Sequence, residues 1–460
     1  MRYVSTRGAA PELGFTDALL AGLATDGGLY VPAQWPVMPA REPGSTYAQR
    51  AAQIIQLFVG DELAPATVQR LCDEAYATFA HPAVVPLVQL QHDHFVQELF
   101  HGPTLAFKDV ALQLVGRMFD EVLKARGQRV TIVGATSGDT GSAAIDGVKG
   151  CDHVDIVILY PHGRTSDVQR KQMTTVDAPN VRVVAVDGTF DDCQDLVKAM
   201  FNDGPFRDRM GLSAVNSINW ARVMAQIVYY AVAADLLAGP IDVCVPSGNF
   251  GNVFAGWIAK RMGAPIDRLV VASNANDILT RFFRSNDMST APVMPSLSPS
   301  MDIQVSSNFE RLLFEMNGRD GGGTAEQLQR FRATGLLSVE DDQWAEFVDG
   351  AFLAERVDDG ETLEVIGRTH REAGMLLDPH TAVGVGAVAK LRAAGALRRT
   401  TVTLATAHPA KFPDAVERAT GVRPPLPAHL ANLFELPEHV SHLPNDLAAV
   451  QQFVSTTFLG

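Results

Sequence analysis

Cysteine is scarce and scattered. The four cysteines, Cys72, Cys151, Cys193 and Cys244, form no Cys-x-x-Cys pair, which excludes a disulfide framework and a thiolate zinc site. Free thiols of this kind suit a reducing compartment. Basic residues are in the minority: 38 Lys and Arg face 52 Asp and Glu, a formal charge of −14. That balance argues against a nucleic-acid partner held through its phosphates, but it leaves room for a local pocket for a small anion. Long apolar runs are missing as well. The most apolar stretch, residues 223–239, is broken by Gln226 and Asp235 and is too short and polar to span a bilayer. The first 25 residues carry Arg2, Arg7, Glu12 and Asp17 with no apolar core between them, so no signal peptide is expected. The expectation is a soluble, cytoplasmic protein without a membrane partner.

Several chemistries are excluded by missing motifs. No glycine-rich turn ends in Gly-Lys, as a phosphate loop for nucleotide hydrolysis requires. The residues two positions either side of Ser137 are Ala135 and Asp139, and those around Ser247 are Val245 and Asn249. A nucleophile elbow needs glycine there, so a serine hydrolase is disfavoured. Gly384-Val385-Gly386-Ala387-Val388-Ala389 has the look of a dinucleotide fingerprint, yet it follows Asp378-Pro379-His380-Thr381 and not a strand. Small residues packing a helix against a neighbour explain it better. His92 and His94 flank Asp93 in a polar stretch with no third ligand nearby, which reads as solvent-facing and not as a metal site.

What is present is a globular composition, 47% hydrophobic with 38 Gly and 26 Pro, and enough chain for about three domains at the usual size. Residues 1–90 read as a mostly helical domain, with helices expected over 15–23, 47–58 and 66–79. From there the grammar changes. Short β-branched runs at 130–133, 154–159, 181–186, 241–245, 269–272 and 401–404 alternate with helical patterns, which predicts an α/β body with mainly parallel sheets covered by helices over 91–420. A Ser-, Pro- and Met-rich loop at 285–307 is long enough to suspect of function. Residues 421–460, rich in proline and ending in one short helix, are expected to wrap over the body.

One pattern occurs twice. The strand at 130–133 leads into Ser137-Gly138-Asp139-Thr140-Gly141, and the strand at 241–245 leads into Ser247-Gly248-Asn249-Phe250-Gly251. A glycine-rich turn from strand to helix presents free N–H groups at the positive end of a helix, a ready anion site. Tight turning explains either one alone; two together point to two anionic groups in one cleft. A third segment, His101-Gly102-Pro103-Thr104, turns into a helix whose apolar stripe runs from Phe107 to Leu123. Lys108 stands at the start of that helix, where a cation opposes the helix dipole and burial favours the neutral amine. That placement suits a nucleophile. A surface lysine beside Asp109 fits the spacing too.

These segments resemble the threonine synthase family, pyridoxal-phosphate enzymes of fold type II, the tryptophan-synthase-β group. The likeness is to the longer bacterial and fungal kind. It runs from Tyr3-Val4-Ser5-Thr6-Arg7-Gly8 through the lysine segment, both Ser-Gly turns and Ser298-Pro299-Ser300-Met301-Asp302-Ile303 to Ala407-His408-Pro409-Ala410-Lys411-Phe412. The resemblance implies pyridoxal 5'-phosphate as cofactor, bound by Lys108 as a Schiff base. It implies that Gly248, Asn249, Phe250 and Asn252 hold the cofactor phosphate, with Gly251 serving the turn, and that Thr406 faces the pyridine nitrogen. Ser137, Gly138, Asp139 and Thr140 would receive the substrate carboxylate. Asp139 is a departure, since many relatives outside this kind carry Asn beside the cofactor's phenolic oxygen, and two anionic oxygens would repel unless a proton is shared. The implied substrate is O-phospho-L-homoserine, converted with water to L-threonine and phosphate by a monomer or homodimer. A second anion pocket for the departing phosphate is assigned to Asn216, Ser217, Asn219 and Arg222, against the alternative that Ser217 merely caps a helix and Arg222 is a surface charge. Three other readings stand beside this one: a phospholyase of the same fold giving 2-oxobutanoate, phosphate and ammonia, a non-catalytic metabolite-binding protein, and a dinucleotide oxidoreductase.

Overall fold

The computed structural model describes residues 1–460 apart from positions 215, 216, 238, 459 and 460. Two sheets organise it. The larger has six strands in the order Phe352–Arg356, Ile266–Ser273, Ile241–Pro246, Thr401–Ala405, His94–Glu98 and Leu87–Gln91, parallel throughout except for the last pair. The smaller has five parallel strands in the order Ser441–Pro444, Val181–Asp187, Val154–Pro161, Val130–Ala135 and Leu212–Ser213. The strands Ile241–Pro246 and Val154–Pro161 are buried along their whole length, as continuous apolar runs flanked by helices on both faces must be. The α/β expectation and the six runs that carried it hold, each strand a residue or more longer than its run.

Other elements differ from the sequence reading. The polar stretch around His92 is a hairpin, Leu87–Gln91 with His94–Glu98. His92 is exposed, but His94 is buried and its Nε2 lies 2.8 Å from Thr403 Oγ1 on the neighbouring strand. His92 lies in the two-residue turn between the strands, outside the pairing that carries His94 into the sheet. The C-terminal segment does more than lie over the body. Ser441–Pro444 adds an edge strand to the smaller sheet, and the helix Leu447–Phe458 buries Val450 and Val454 in that subdomain's core. The segment resembling a dinucleotide fingerprint lies within the helix Pro379–Ala393, where a β-carbon on Gly384 would stand 2.8 Å from Thr403 Cγ2. Close packing explains its glycines.

The N-terminal region holds the helices Phe15–Ala21, Tyr47–Val59 and Pro65–Tyr76. The second starts with Thr46 and Gln49 satisfying each other's backbone N–H groups, a capping box. This region is bolted to the body. Arg7 makes a two-pronged bond to Glu310 at 3.0 and 2.9 Å, and Thr6 donates to the same carboxylate at 2.6 Å. Trp220, 1% exposed, donates from Nε1 to the Tyr3 hydroxyl and packs on Phe58. Among the described residues no helix is long and apolar enough to cross a membrane.

Both Ser-Gly turns leave the carboxyl ends of parallel strands, Val130–Ala135 in one sheet and Ile241–Pro246 in the other. In open α/β sheets that end is where ligands bind.

Candidate active site

Lys108 opens the helix Lys108–Arg126. The turn before it is pinned at both ends. Phe107 N–H donates to Thr406 O at 2.9 Å, and His408 N–H donates to Leu105 O at 3.0 Å, which ties the turn to the end of the strand Thr401–Ala405. Asp109 accepts from Thr104 N–H and Oγ1 at 2.8 and 2.6 Å. Gly102 leaves room for that contact, since a β-carbon there would stand 2.4 Å from Asp109 Cβ. The fold thus fixes Lys108 at a helix start and buries it, 9% exposed; it is not a surface lysine. Its Nζ reaches Asp139 Oδ2 at 3.3 Å and Ser300 Oγ at 3.4 Å. Burial pulls the Lys108 amine below its ordinary value; Asp139 opposes the shift, while the charges of Lys411 and Arg222 add to it.

The first Ser-Gly turn is partly spent on itself. Thr136 Oγ1 accepts the N–H groups of Gly138 and Gly141 at 3.0 and 2.9 Å. Gly138 has φ +148°, and a β-carbon there would stand 2.5 Å from the Gln169 side chain, so the position requires glycine. Ser137 is exposed, Thr140 half-buried, and Asp139 buried. Asp139 lies between two lysines: Lys108 on Oδ2, and Lys411 on Oδ1 at 2.9 Å beside Gln169 Nε2 at 2.9 Å. Burial alone would raise the Asp139 carboxyl, but the two ammonium groups outweigh it and hold the group well below the usual carboxylate range. Asp139 is thus a carboxylate flanked by two lysines.

At the second turn Phe250 takes a left-handed φ of +62° and starts the helix Gly251–Arg261 with no side-chain cap. The first N–H groups of that helix therefore lack the partner a cap would give. A bulky residue at positive φ carries strain, and Phe250 is held there by stacking in the cluster of Phe283, Phe309 and Phe352. Asn252 spends Oδ1 on the hydroxyls of Tyr229 and Tyr230, at 2.5 and 2.8 Å, and its buried Nδ2 has no partner among the described residues. The suspected loop at 285–307 folds onto this turn. Ser306 Oγ donates to Gly248 O at 2.8 Å, and a β-carbon on Gly248 would stand 3.0 Å from Ser300 O. Since Ser300 also contacts Lys108, the loop joins the two turns into one cleft. Thr406, 6% exposed, borders it through its bond to Phe107.

The expected second anion pocket is rearranged. Asn216 lies outside the described residues. The helix Trp220–Leu236 is capped by Asn219 and not by Ser217: Asn219 Oδ1 accepts from Ala221 N–H at 2.9 Å, and its Nδ2 donates to Leu19 O at 2.9 Å. Both ends of Asn219 are thereby committed to the fold. Ser217 is half-buried in the turn before the cap, and its carbonyl accepts from Asn308 Nδ2 at 3.1 Å. Arg222 is no surface charge: it is 4% exposed, its Nε and Nη1 are buried without partners among the described residues, and burial pulls it down to about 10.

Sequence reasoning assigned no role to Ser300, Lys411, Gln169 or Gln172, although the first two fall inside segments that carried the resemblance. Lys411 is wholly buried and bonds Thr104 O and Gln172 Oε1 at 2.7 and 3.0 Å in addition to Asp139. Behind Ser300 stands His380, whose Nε2 accepts from Ser300 N–H at 3.3 Å and whose Nδ1 pairs with Asp378 at 2.9 Å. Among the described residues no group of three His, Cys, Asp or Glu could hold a metal ion.

Comparison with known proteins bears on this cleft. Residues 83–354 match the pyridoxal-phosphate dependent enzyme family, residues 2–76 the threonine synthase N terminus, and residues 381–454 the threonine synthase C-terminal family. The threonine synthase of Pseudomonas aeruginosa is 54% identical over 99% of this chain and 98% of its own. A crystal structure of threonine synthase with pyridoxal phosphate bound, from Brucella melitensis, superposes with a TM-score of 0.96 at 50% identity, covering 99% of both chains. The yeast threonine synthase structure gives 0.94 at 39% identity, over 100% of this chain and 99% of that one.

Proposed function

The chain belongs to the threonine synthase family of pyridoxal-phosphate-dependent enzymes, and we propose that it converts O-phospho-L-homoserine and water to L-threonine and phosphate, as a carbon–oxygen lyase acting on phosphates. The observation that carries this reading is the meeting of a buried lysine, two strand-to-helix turns and an unpaired buried arginine in one cleft. A lone cofactor phosphate would need a single anion site. This cleft offers a second, as a phosphorylated amino acid requires.

The residues fit pyridoxal phosphate. The uncapped helix start at Phe250 and the orphaned Asn252 Nδ2 suit its phosphate, with Gly248 and Asn249 allowing close approach of the backbone. Lys108 supplies a buried amine for its carbonyl, and the Thr406 hydroxyl suits a neutral ring nitrogen. When bound, the cofactor supplies an electron sink that lets protons leave carbon and the γ-phosphate depart. The rest falls to the chain. Lys108, on a flexible stem at the mouth of a buried helix, takes and returns protons on the substrate carbons. The first turn, through Ser137 and Thr140, receives the substrate carboxylate; Gly138, whose N–H is taken by Thr136, shapes the turn, and Asp139 behind it sets the charge. The Nε and Nη1 donors of Arg222, unpaired among the described residues, are ready to bond the oxygens of the leaving phosphate, and Ser217 adds a hydroxyl nearby. Asn219, already bonded at both ends, holds the helix that carries Arg222. The reaction is assigned to the cytoplasm, to a monomer or homodimer with no nucleic-acid or membrane partner.

Incubation of the purified protein with O-phosphohomoserine, with Lys108→Ala as control, tests the reading. Threonine and phosphate, lost in the control, are expected. Phosphate with 2-oxobutanoate would move the enzyme to the phospholyase reading.

A further inference from the structure

Two lysines share one carboxylate in this cleft, and they share it unequally. Asp139 Oδ1 takes the short contacts, Lys411 Nζ and Gln169 Nε2, both at 2.9 Å. Lys108 has only Oδ2, at 3.3 Å. Lys411 is more firmly engaged: its Nζ donates to Thr104 O and Gln172 Oε1 and pairs with Asp139 Oδ1, and none of the residue is exposed. Lys108 makes two long contacts and can move.

We propose that Lys411 is a positioning residue of this reaction: by holding Asp139 it keeps that carboxylate from locking Lys108 as an ammonium, and so leaves Lys108 the amine that moves protons. A carboxylate buried with one lysine forms a tight pair that resists losing its proton. A carboxylate already claimed by a second, immobile lysine does not. The charged groups facing Lys108 are Asp139 from the helix Asp139–Val148, Lys411 from the turn Pro409–Lys411 and Arg222 from the helix Trp220–Leu236. Ser300 on the facing loop is neutral, and the Phe107 ring lies 5.6 Å away. Two cations and one anion favour the neutral amine; without Lys411 the count is one of each. In a turnover the proton leaves a substrate carbon for Lys108 Nζ and returns from it, while Asp139 neither gains nor gives one.

This inference rests on Lys108 being the amine of the proposed reaction, so its test reads the amine without turnover. The full-length chain, stripped of cofactor, is mixed with pyridoxal phosphate from about pH 6 to about pH 10, and the rate at which visible absorbance grows is recorded. Only the neutral amine can react, so the rate falls on the acid side around the Lys108 pKa. Lys411→Met is expected to move that midpoint up by about one unit or more, a tenfold change in proton affinity. Asp139→Asn, which removes the anion and leaves both cations, moves it down. A merely structural Lys411 would give no such opposed pair. An unchanged or lower midpoint in Lys411→Met overturns the proposal. Should that variant fail to fold, an unchanged or higher midpoint in Asp139→Asn overturns it. Wild type that takes up cofactor but makes no threonine would count against the reaction instead, and leave these midpoints as they are.

Discussion

Replacing Arg222 by methionine should make the protein more stable in the absence of phosphate and the enzyme worse. Two guanidinium nitrogens, Nε and Nη1, are buried without a hydrogen-bond partner among the described residues, and a buried donor left unpaired costs about 1–3 kcal/mol. Two of them therefore place about 2–6 kcal/mol of desolvation in the fold when no anion pairs with them. Methionine keeps most of the aliphatic stem and removes the donors. After an allowance of about 1–2 kcal/mol for lost packing, a net gain of about 0–5 kcal/mol remains, a range that spans the roughly 1–4 kcal/mol found when buried ionic groups give way to apolar ones. Inorganic phosphate should reverse the order. An anion that fills the site stabilises the wild type by about 2.7 kcal/mol at a hundredfold excess over its dissociation constant, and the variant gains nothing. The assay is thermal unfolding of the cofactor-loaded proteins with and without phosphate, beside the KM for O-phosphohomoserine. A variant that melts below the wild type without phosphate, and rises as far as the wild type when phosphate is added, would refute the reasoning.

Three other perturbations follow from the geometry. Gly248→Ala puts a carbon 3.0 Å from both Ser300 O and Ile303 Cδ1, so the loop must give way, and equilibrium titration should show cofactor affinity down by about tenfold or more, a cost of about 1.4 kcal/mol. Asn252→Asp replaces the free Nδ2 with an acceptor and a charge, and should weaken cofactor binding by at least as much while Tyr229 and Tyr230 keep their acceptor; affinity equal to wild type would contradict the role given to Asn252. Burial pushes the His94 ring down to about 4, so the unfolded chain binds the extra proton at mildly acid pH. The stability contributed by the neutral ring is then present above about pH 6.5 and lost as pH falls towards about 4, on the order of 3 kcal/mol in all. His94→Gln should flatten that part of a plot of melting temperature against pH.

Local pattern made much of this protein legible. Continuous β-branched runs marked six strands because a strand buried on both faces has no polar side to show. The paired Ser-Gly turns were visible because backbone at φ +148°, as at Gly138, admits little but glycine. What stayed hidden depends on pairing across the chain. The strand Phe352–Arg356 and the hairpin Leu87–Glu98 carry mixed polar sequences, and their places at the sheet edges are set by neighbours far away in sequence. His94 read as exposed because its partner, Thr403, is 309 residues away. Asn219 and Ser217 are both capping residue types, and sequence alone did not say which one the helix begins after. Lys411 stood within a segment that carried the resemblance, but nothing local told it from a surface lysine. Its role lies in Asp139, Thr104 and Gln172, which three other elements bring to it.

The central claim is that the cleft expels phosphate from the γ carbon and then directs water to the β carbon. The most direct measurement is turnover of O-phosphohomoserine in water enriched in heavy oxygen, with all products identified by mass. Cleavage between carbon and oxygen, followed by addition of water, predicts threonine carrying one heavy oxygen and phosphate carrying none. Heavy phosphate with homoserine, or 2-oxobutanoate in place of threonine, would contradict the account.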